Sequence, residues 1–354
     1  MRIALVLATS TGGVGRHVSS LSRALVAGGD HVAVLGPAAT AELFSFGGAF
    51  KPVEIGSGPR PVADARAVAR LRPLIHSADV VHAHGLRAGA VAAAALAGRK
   101  TPLVVTWHNR VLLTGVRARV ASPLERLVAR AAAVTLGAST DLVDRAVELG
   151  ARDARLGAIG APALPQPSRS AAVTRSELGV AERRIVLAIG RLHPQKGYDV
   201  LIRAAVRWRS SNVTVLIAGD GPLREELADQ IASTAAPVGL LGRRSDIAEL
   251  LSVADVVVLP SRWEARSLVA QEAMRAGRPL VTTRVGGLPE LVGDAARLVP
   301  VDDPEKLAEA VLDLLDDPAA AARLAERGVA LAATWPTEAD TAAQVRAVYA
   351  ELMN

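Results

Sequence analysis

The sequence predicts an α/β protein with two doubly wound domains, and three observations support this fold class. Short apolar runs alternate with helical stretches along the chain, which is the βαβ pattern of a parallel sheet. One of these runs, Val256–Leu259, is entirely apolar, as expected of a strand that is covered on both faces. Gly160–Ser170, a segment with three prolines, interrupts the alternation and is the expected interdomain linker.

The first domain, residues 1–165, is predicted to contain five strands and five helices outside residues 40–60. Residues 40–60 are rich in Gly, Phe and Pro, and we expect a loop there with one short strand. The strands are expected at Ile3–Leu7, His31–Leu35, Val80–His82, Leu103–Thr106 and Val134–Leu136. The helices are expected near Gly15–Ala27, Ala63–Leu74, Leu86–Leu96, Ser122–Ala131 and Ser139–Leu149.

The second domain, residues 166–335, repeats the alternation, and a last helix at Glu338–Leu352 occupies residues 336–354. The strands are expected at Ile185–Ile189, Val213–Ala218, Val238–Leu241, Val256–Leu259 and Leu280–Thr283. The helices are expected at Tyr198–Trp208, Leu223–Ser233, Asp246–Val253, Ser267–Ala276, Pro304–Leu315 and Ala319–Ala333. Gly286 and Gly287 are interpreted as a flexible turn before a short helix that begins at Pro289.

Composition argues against several classes of protein. Cysteine is absent, which excludes disulfides and zinc–thiolate sites. The apolar runs are too short for a spanning helix, and we interpret the first as a buried strand, not a signal peptide, which favours a cytoplasmic protein. Net charge is +6, with +9 in residues 1–165 and −3 in residues 166–354. Aromatic residues make up only 3%, so the basic half lacks the interleaved aromatics of a nucleic-acid-binding surface.

Two glutamates bracket the loop and the helix start that follow the apolar strand described above. Glu264 is expected beyond the carboxyl end of this strand, where open α/β sheets bind ligands, and Glu272 about one turn into the next helix. Between them, the backbone N–H groups near Ser267, Leu268 and Val269 form a helix N-terminus, which is a natural phosphate site. The alternative is a pair of solvated glutamates at a helix start.

Two cations follow another predicted strand. Arg191 comes one glycine after Ile189, and Lys196, one of only four lysines, lies five residues further on. Two fixed cations at a strand end suit a diphosphate, because Arg binds oxygens bidentately and Lys acts as a compact charge. No Asp-x-Asp sequence occurs, so a divalent ion is not needed to explain how such a charge is stabilised.

The loop after the first strand contains Gly12 and Gly13, and glycine there lets the backbone approach a phosphate or sugar closely. Gly-x-Gly-x-x-Gly is not matched, so this is not a dinucleotide fingerprint. Arg16, on the first helical turn, is either a ligand contact or a solvated arginine. His84 and His108 lie near predicted strand ends, but no acidic residue accompanies them, so no metal site is predicted.

Three segments, in this order, resemble the retaining GT-B glycosyltransferases of family 4. They are IGRLHPQKGYDVLI, IAGDGPL, and PSRWEARSLVAQEA followed by AGRPLVTTRVGGLPELV. The resemblance covers nearly the whole chain. It implies the GT-B architecture, in which two Rossmann-like domains face a central cleft and the C-terminal helix crosses back to the N-terminal domain.

The resemblance also implies an activity. A sugar would move from a nucleotide-diphosphate sugar to an acceptor hydroxyl with retention, assisted by the leaving phosphate and without a metal or other cofactor. Glu264 would hold sugar hydroxyls, Glu272 would accept from the ribose, and His108 would contact the transferred sugar near its reactive carbon. The residues assigned to catalysis are His108, Arg191, Lys196 and Glu264. Those assigned to donor binding are Gly12, Gly13, Arg191, Lys196, Ser267, Leu268, Val269 and Glu272. Those assigned to the acceptor side are Arg16 and His84.

The chain departs from the family pattern at two places. Ala265–Ser267 has an arginine in the middle where the family commonly has Gly-Phe-Gly, which leaves the shape of the sugar pocket open. Ile159–Pro162 replaces the usual Asn-Gly at the end of the first domain. The alternative functions are a nucleotide-sugar epimerase of the same fold and an inactive nucleotide-sugar-binding relative.

Part of the basic excess lies in Arg110–Arg130, and it leads to a prediction about the acceptor. Five arginines alternate there with apolar residues, and Ser122 and Pro123 are expected to begin a helix. Such a segment suits an anionic or lipid-linked acceptor and peripheral binding to an anionic membrane. An ordinary helix with solvated arginines is the alternative. The arginines are Arg110, Arg117, Arg119, Arg126 and Arg130, and the apolar face of the helix is expected to be Leu124, Leu127 and Val128.

Overall fold

The chain forms two compact units. The computed structural model describes residues 1–110, 115–157, 159–161 and 163–354, and for residues 115–122 it describes the backbone alone. Unit 1 is Met1–Pro162 together with Pro336–Asn354, and unit 2 is Ala163–Trp335.

Unit 1 contains a parallel sheet in which seven strands lie within the described residues. They are β1 (Arg2–Leu7), β2 (His31–Gly36), β3 (Ala49–Pro52), β4 (Val80–His84), β5 (Leu103–Trp107), β6 (Val134–Gly137) and β7 (Ala154–Leu156). Their order is β3-β2-β1-β4-β5-β6-β7. This order places the carboxyl ends of β1, β4 and β5 side by side, with Leu7 opposite His84 and His84 opposite Thr106. Strands β4, β5 and β6 are buried along their whole length, as expected of parallel strands covered on both faces.

The helices of unit 1 alternate with these strands. They are α1 (Gly13–Ala27), α2 (Ala38–Ala41), α3 (Pro61–Leu74), α4 (Leu86–Ala95), α5 (Gly115–Ala131) and α6 (Thr140–Glu148). The predicted start of α5 was wrong, because the helix begins at Gly115 and Pro123 lies inside it. Proline is most common at the first helical position, and for this reason Pro123, with Ser122 as the cap, predicts a later start than the one observed. Strand β4 also continues past the predicted end to His84, and β7 was not predicted.

Unit 2 contains a second parallel sheet. Its strands are β8 (Arg184–Ile189), β9 (Val213–Ala218), β10 (Val238–Gly242), β11 (Val256–Leu259), β12 (Leu280–Thr283) and β13 (Arg297–Val299), in the order β10-β9-β8-β11-β12-β13. Its helices are α7 (Ala171–Glu177), α8 (Tyr198–Ala205), α9 (Arg224–Thr234), α10 (Ile247–Val253), α11 (Leu268–Arg275), α12 (Leu288–Val292), α13 (Pro304–Asp316) and α14 (Pro318–Ala332). Helix α7 and strand β13 were not predicted.

The sheet of unit 2 buries both of its faces, and successive residues of β8 show this directly. Val186 and Ala188 belong to a core cluster that includes residues of α8 and α13. Ile185 and Leu187 belong to a second cluster that includes residues of α10 and α11. Because side chains alternate between the faces of a strand, the apolar residues that follow Arg184 in β8 contribute to both clusters. The two parallel, doubly wound sheets confirm the predicted α/β class.

The last helix, α15 (Glu338–Met353), belongs to unit 1. It begins with a capping box, in which the side chain of Thr337 accepts a hydrogen bond from the backbone of Asp340 and the Asp340 side chain accepts one from the Thr337 backbone. Val345, Val348 and Tyr349 are buried in the same core cluster as residues of β1. The helix therefore completes the core of the N-terminal unit, as the predicted architecture requires.

Candidate functional site

In unit 2, a tight turn places Lys196 at the carboxyl end of the sheet. After β8, residues Pro194–Lys196 form a 3₁₀ turn whose start is capped by the ring of His193, which accepts from the N–H of Gln195 at 3.3 Å. Gly197 ends the turn with φ +64°, and a Cβ at this position would lie 2.1 Å from the carbonyl oxygen of Pro260. The turn thus packs directly against the residue that follows β11, and only glycine allows this approach.

This packing brings Lys196 and Glu264 into contact. The Nζ atom of Lys196 lies 2.5 Å from Oε1 of Glu264, and the hydroxyl of Ser261 donates to the same oxygen at 2.8 Å. The two charged side chains are only 20% and 10% exposed. A carboxylate that accepts two hydrogen bonds in so little solvent is held in one position, because ion pairs of this kind are stronger away from water.

The Gly286–Gly287 turn fixes the backbone of the Glu264 loop. The N–H of Gly287 donates to the carbonyl oxygen of Glu264 at 2.9 Å. Gly286 has φ +51°, and a Cβ there would lie 2.0 Å from the same oxygen. The turn was interpreted as flexible, and the structure shows instead that it is closely packed, because it supports the loop that carries Glu264.

Helix α11 begins directly after this loop. Ser267 is its N-cap, and the Ser267 hydroxyl accepts from the N–H of Ala270 at 3.3 Å. The N–H groups of Leu268 and Val269 have no acceptor among the described residues, so they remain available at the helix N-terminus. Glu272 lies one turn into the helix and is 3% exposed. The helix therefore presents two amide donors at its start and a carboxylate one turn further on.

Arg191 is exposed at the same end of the sheet. Within the described residues its guanidinium makes no hydrogen bond or ion pair. The pKa of His193 is lowered from its ordinary value by burial, and also by the charges of Arg191 and Lys196. Both cations thus act on one imidazole, and Arg191 is the one that has no counter-ion in the part of the chain that the structure describes.

In unit 1, the predicted glycines begin the first helix. Gly12 is the N-cap of α1 and Gly13 is its first residue, and both are exposed. A Cβ at Gly12 would have no atom within 4 Å, so the fold itself does not require glycine there. Arg16 lies on the first turn of this helix and is also exposed.

The carboxyl ends of β4 and β5 hold a cluster of histidines. Nδ1 of His84, the last residue of β4, lies 3.2 Å from Nε2 of His108, which follows β5. His17 on α1 completes the group, and each of the three rings offers one nitrogen within 4.8 Å of the other two. Sequence reasoning named His84 and His108 but missed His17. The strand order is the signal that could have found it. A doubly wound sheet places β1 beside β4 and β4 beside β5, so the helix that follows β1 and carries His17 begins next to the ends of β4 and β5.

A further buried contact supports this cluster. The ring of His82 lies between Tyr349 and Thr106, with Nδ1 at 2.6 Å from the tyrosine hydroxyl and Nε2 at 2.7 Å from the threonine hydroxyl. The centroids of the His82 and His84 rings are 4.2 Å apart. Helix α15 thereby fixes His82, and His82 packs against His84.

Comparisons with known proteins identify the family. The family described as "Glycosyl transferases group 1" matches residues 183–317, and the "Glycosyl transferase 4-like domain" matches residues 12–162. In its fold, the chain is similar to the crystal structure of Anabaena Alr3699/HepE in complex with UDP and glucose, with a TM-score of 0.83 and 22% identity over 98% of this chain and 99% of that one. A glycogen synthase of Mycobacterium tuberculosis is 32% identical, covering 94% of this chain and 90% of its own length. The chain belongs to the GT-B glycosyltransferases.

A second relative of this glycosyltransferase is similar over most of its length. It is a phosphatidyl-myo-inositol mannosyltransferase of Mycolicibacterium smegmatis, 30% identical over 90% of this chain and 85% of that protein. The predicted GT-B fold and glycosyltransferase class are confirmed.

Two residues that support the charged site of the glycosyltransferase were missed by sequence reasoning. Ser261 is fully buried and donates to Glu264, and its only signal is its position two residues after β11. Tyr198 is 2% exposed at the start of α8, and its hydroxyl has no partner among the described residues. Burial, and then the charge of Glu264, raise the pKa of Tyr198, so the phenol stays protonated.

Arg266, the cation that departs from the family pattern, is partly buried against the end of unit 2. Its guanidinium lies 5.9 Å from the centroid of the Trp335 ring. Burial lowers the pKa of Arg266, and the nearby charge of Glu290 opposes this effect. The arginine is therefore part of a packed network next to the Glu264 loop.

The basic segment of unit 1 is described only in part. Residues 111–114, and the side chains of Arg117 and Arg119, lie outside the described residues. On α5, Arg126, Leu127 and Arg130 are all exposed, and Leu127 is 53% exposed. The expected separation into a basic and an apolar face was wrong, because Leu127 lies with the arginines and only Val128 is buried. Within the described residues, every helix is too short or too polar to span a membrane.

Proposed function

We propose that this glycosyltransferase moves a sugar from a nucleotide-diphosphate sugar to an acceptor hydroxyl with retention of configuration. The observation that carries the proposal is the set of groups at the carboxyl end of the unit 2 sheet. Lys196 and Glu264 form a nearly buried pair there, and Arg191 has no counter-ion among the described residues. Beside them, the N–H groups of Leu268 and Val269 have no acceptor within the described part of the chain. These groups together suit a ligand with two negative charges attached to a polyol.

The diphosphate would bind to the cations and to the start of α11. Arg191 supplies a bidentate donor, and the N–H groups of Leu268 and Val269 supply two more hydrogen bonds along the helix dipole. Lys196 would then lie between the phosphate and Glu264. As the bond to the sugar breaks, charge develops on the leaving phosphate, and these fixed donors stabilise it without reorganisation.

The arrangement around Glu264 favours a stabilising role for this carboxylate. Oε1 of Glu264 accepts from Lys196 and Ser261, which keeps the carboxylate ionised and fixed where it can interact with positive charge. We therefore assign Glu264 to sugar hydroxyls and to the positive character of the anomeric carbon, and the leaving phosphate to the proton of the acceptor. Glu272 would accept from the ribose. Neither step uses a metal ion or another cofactor.

On the acceptor side we propose Arg16 and His84 of unit 1, while His108 would contact the transferred sugar and Gly12 and Gly13 would approach the donor. The acceptor would be anionic or lipid-linked, and the enzyme would act in the cytoplasm at the inner face of a membrane. The support is the exposed Leu127 between two exposed arginines of α5, a combination that suits an anionic bilayer. The name of the mycobacterial mannosyltransferase relative also includes a phosphorylated lipid.

A donor screen tests the proposal. Thermal shift of the protein against a panel of nucleotide sugars should show stabilisation by one donor and little by the corresponding free sugar. The donor found is then used with candidate acceptors, and the anomeric configuration of the product is read by NMR.

Transfer should be unchanged in EDTA. An inverted product, or activity that EDTA abolishes and magnesium or manganese restores, would contradict the proposed mechanism. Conversion of the donor to an isomer without acceptor would instead support an epimerase.

A further inference from the structure

The three histidines of unit 1 are arranged as metal ligands are. His17, His84 and His108 come from α1, β4 and the end of β5, and each contributes a nitrogen within 4.8 Å of the others. The His84 and His108 nitrogens are already 3.2 Å apart. Two imidazole nitrogens at about 2.0–2.1 Å from a tetrahedral zinc ion would be separated by roughly 3.3 Å, so this pair needs almost no movement.

The chemistry of the three rings also suits a metal ion. His17 is 7% exposed, and a neutral imidazole keeps the lone pair that a metal ion needs. His17 makes no hydrogen bond within the described residues. The ring nitrogens of His17 thus lack a protein partner among the described residues, and a metal ion would supply one.

We propose that His17, His84 and His108 form a binding site for a late divalent transition-metal ion of the zinc class. Three imidazoles with a water molecule make a tetrahedral zinc site, and imidazole is a preferred ligand of zinc, copper and nickel, whereas magnesium and manganese prefer oxygen ligands. His108 is only half-buried, so the metal ion has a route to the cluster. The packing of His82 against His84 holds one ligand ring in place.

The metal ion would inhibit the enzyme, and this part of the proposal rests on the proposed role of His108. A ring nitrogen that coordinates zinc is no longer available to hydrogen-bond a sugar. Zinc would therefore compete with the transferred sugar for His108, and removal of zinc would restore transfer. The metal site thus shares His108 with the proposed reaction, while the chemistry proposed for unit 2 itself needs no metal ion.

Metal binding is tested without any substrate. Tag-free, metal-stripped protein is titrated with Zn²⁺ in a calorimeter, and with Co²⁺ followed by its visible absorption bands. We expect one ion per chain and tetrahedral cobalt bands. His17→Ala should weaken binding at least about 100-fold, the upper figure for loss of a mere supporting partner. The double variant His31→Ala/His76→Ala removes two exposed histidines as a control and should bind as the unaltered protein does.

A second measurement does not depend on any variant folding. In protein with ¹⁵N-labelled histidine, Zn²⁺ should shift the ring signals of His17, His84 and His108 and leave those of His31 and His76 unchanged. Shifts confined to exposed histidines, or equal binding by His17→Ala, would overturn the site.

In transfer assays, Zn²⁺ should inhibit the unaltered enzyme and not His17→Ala, with activity restored by EDTA. Binding without inhibition would overturn the inhibitory role and leave the metal site standing, and a failure of transfer itself would leave the titrations unaffected.

Discussion

The carboxyl ends of the two sheets have different chemistry on the same topology. In unit 2 the residues that follow β8 and β11 are charged, and Lys196 pairs with Glu264 while Arg191 stays without a counter-ion among the described residues. In unit 1 the ends of β4 and β5 hold imidazoles that burial keeps uncharged. A parallel sheet fixes where its ends meet, and the residues placed there decide what can bind. Charged groups suit a diphosphate, and neutral imidazoles suit hydroxyls or a metal ion.

The largest expected effect comes from removing one of the two cations at the carboxyl end of the unit 2 sheet. Lys196→Ala should lower turnover by about 10²–10³-fold, the scale for losing one preorganised donor to a developing negative charge. Arg191→Ala should lower it as well, because the two cations hold the same diphosphate. Turnover is measured by release of the nucleoside diphosphate at saturating donor.

Lys306→Ala is the matched control for this effect. Lys306 lies on α13, is 59% exposed and pairs with Glu309, so its loss should leave turnover unchanged. Full activity of both Lys196→Ala and Arg191→Ala would show that the phosphate assignment is wrong and that the contrast between the two units has no functional meaning.

The second expected effect is the coupling within the Lys196–Glu264 pair. In a double-mutant cycle on the free energy of unfolding, Lys196→Ala and Glu264→Gln should be coupled by about 1–3 kcal/mol, because each single variant leaves the other group poorly solvated. The pair Lys306–Glu309 is the control, with 59% and 51% exposure and an expected coupling of about 0.3–0.5 kcal/mol. Equal coupling in the two pairs would contradict the idea that unit 2 holds its charges away from water.

The two units also differ in how much of each could be predicted from sequence. The fold class was predictable because apolar runs and helical stretches alternate in both halves. Lys196 and Glu264 stand in motifs that each follow a strand, so their meeting required only that β8 and β11 be neighbours. The histidine cluster draws on helix α1, the last residue of β4 and the residue after β5, and His17 has no local motif. The contact between His82 and Tyr349 joins residues 267 positions apart, which local patterns cannot reveal.

A third prediction separates binding from catalysis in unit 2. Glu272→Gln should weaken binding of the nucleoside diphosphate by about 10–100-fold, the range for a hydrogen bond to a charged group, because the carboxylate is proposed to accept from the ribose. Glu264→Gln should mainly lower turnover. Calorimetric titration and steady-state kinetics measure the two effects. If Glu264→Gln loses affinity and Glu272→Gln loses turnover, the two roles are exchanged.

A fourth prediction concerns the exposed arginines of α5 in unit 1 and their binding to anionic membranes. Arg126→Gln/Arg130→Gln should weaken binding to anionic vesicles by about 30-fold at low salt, at about 1 kcal/mol per cation. Leu127→Ser should weaken binding in low and high salt alike, because its contribution is apolar. Co-sedimentation with vesicles, with and without anionic lipid, measures this. The proposed acceptor class is wrong if the unaltered protein does not bind anionic vesicles and transfers to a neutral, soluble acceptor at a rate insensitive to salt.

The smallest expected effect is a proton taken up when the donor binds. The pKa of His193 is held below its ordinary value by burial and by Arg191 and Lys196. A bound diphosphate offsets the charge of both cations, so the pKa of His193 should rise, and the complex should bind more protons than the free enzyme. Donor affinity should therefore increase as the pH falls through the pKa of the complex, and level off below that of the free enzyme.

Titration of the His193 ring by NMR, with and without the nucleotide-diphosphate sugar, measures this shift directly. The sugar donor is the right probe, because its diester phosphates do not titrate in the range where histidine does. The free nucleoside is the control and should leave the pKa of His193 unchanged, since it carries no charge to offset the cations. A donor that binds tightly and leaves His193 unshifted would place the diphosphate away from Arg191 and Lys196, and it would remove the electrostatic basis for assigning the donor to unit 2.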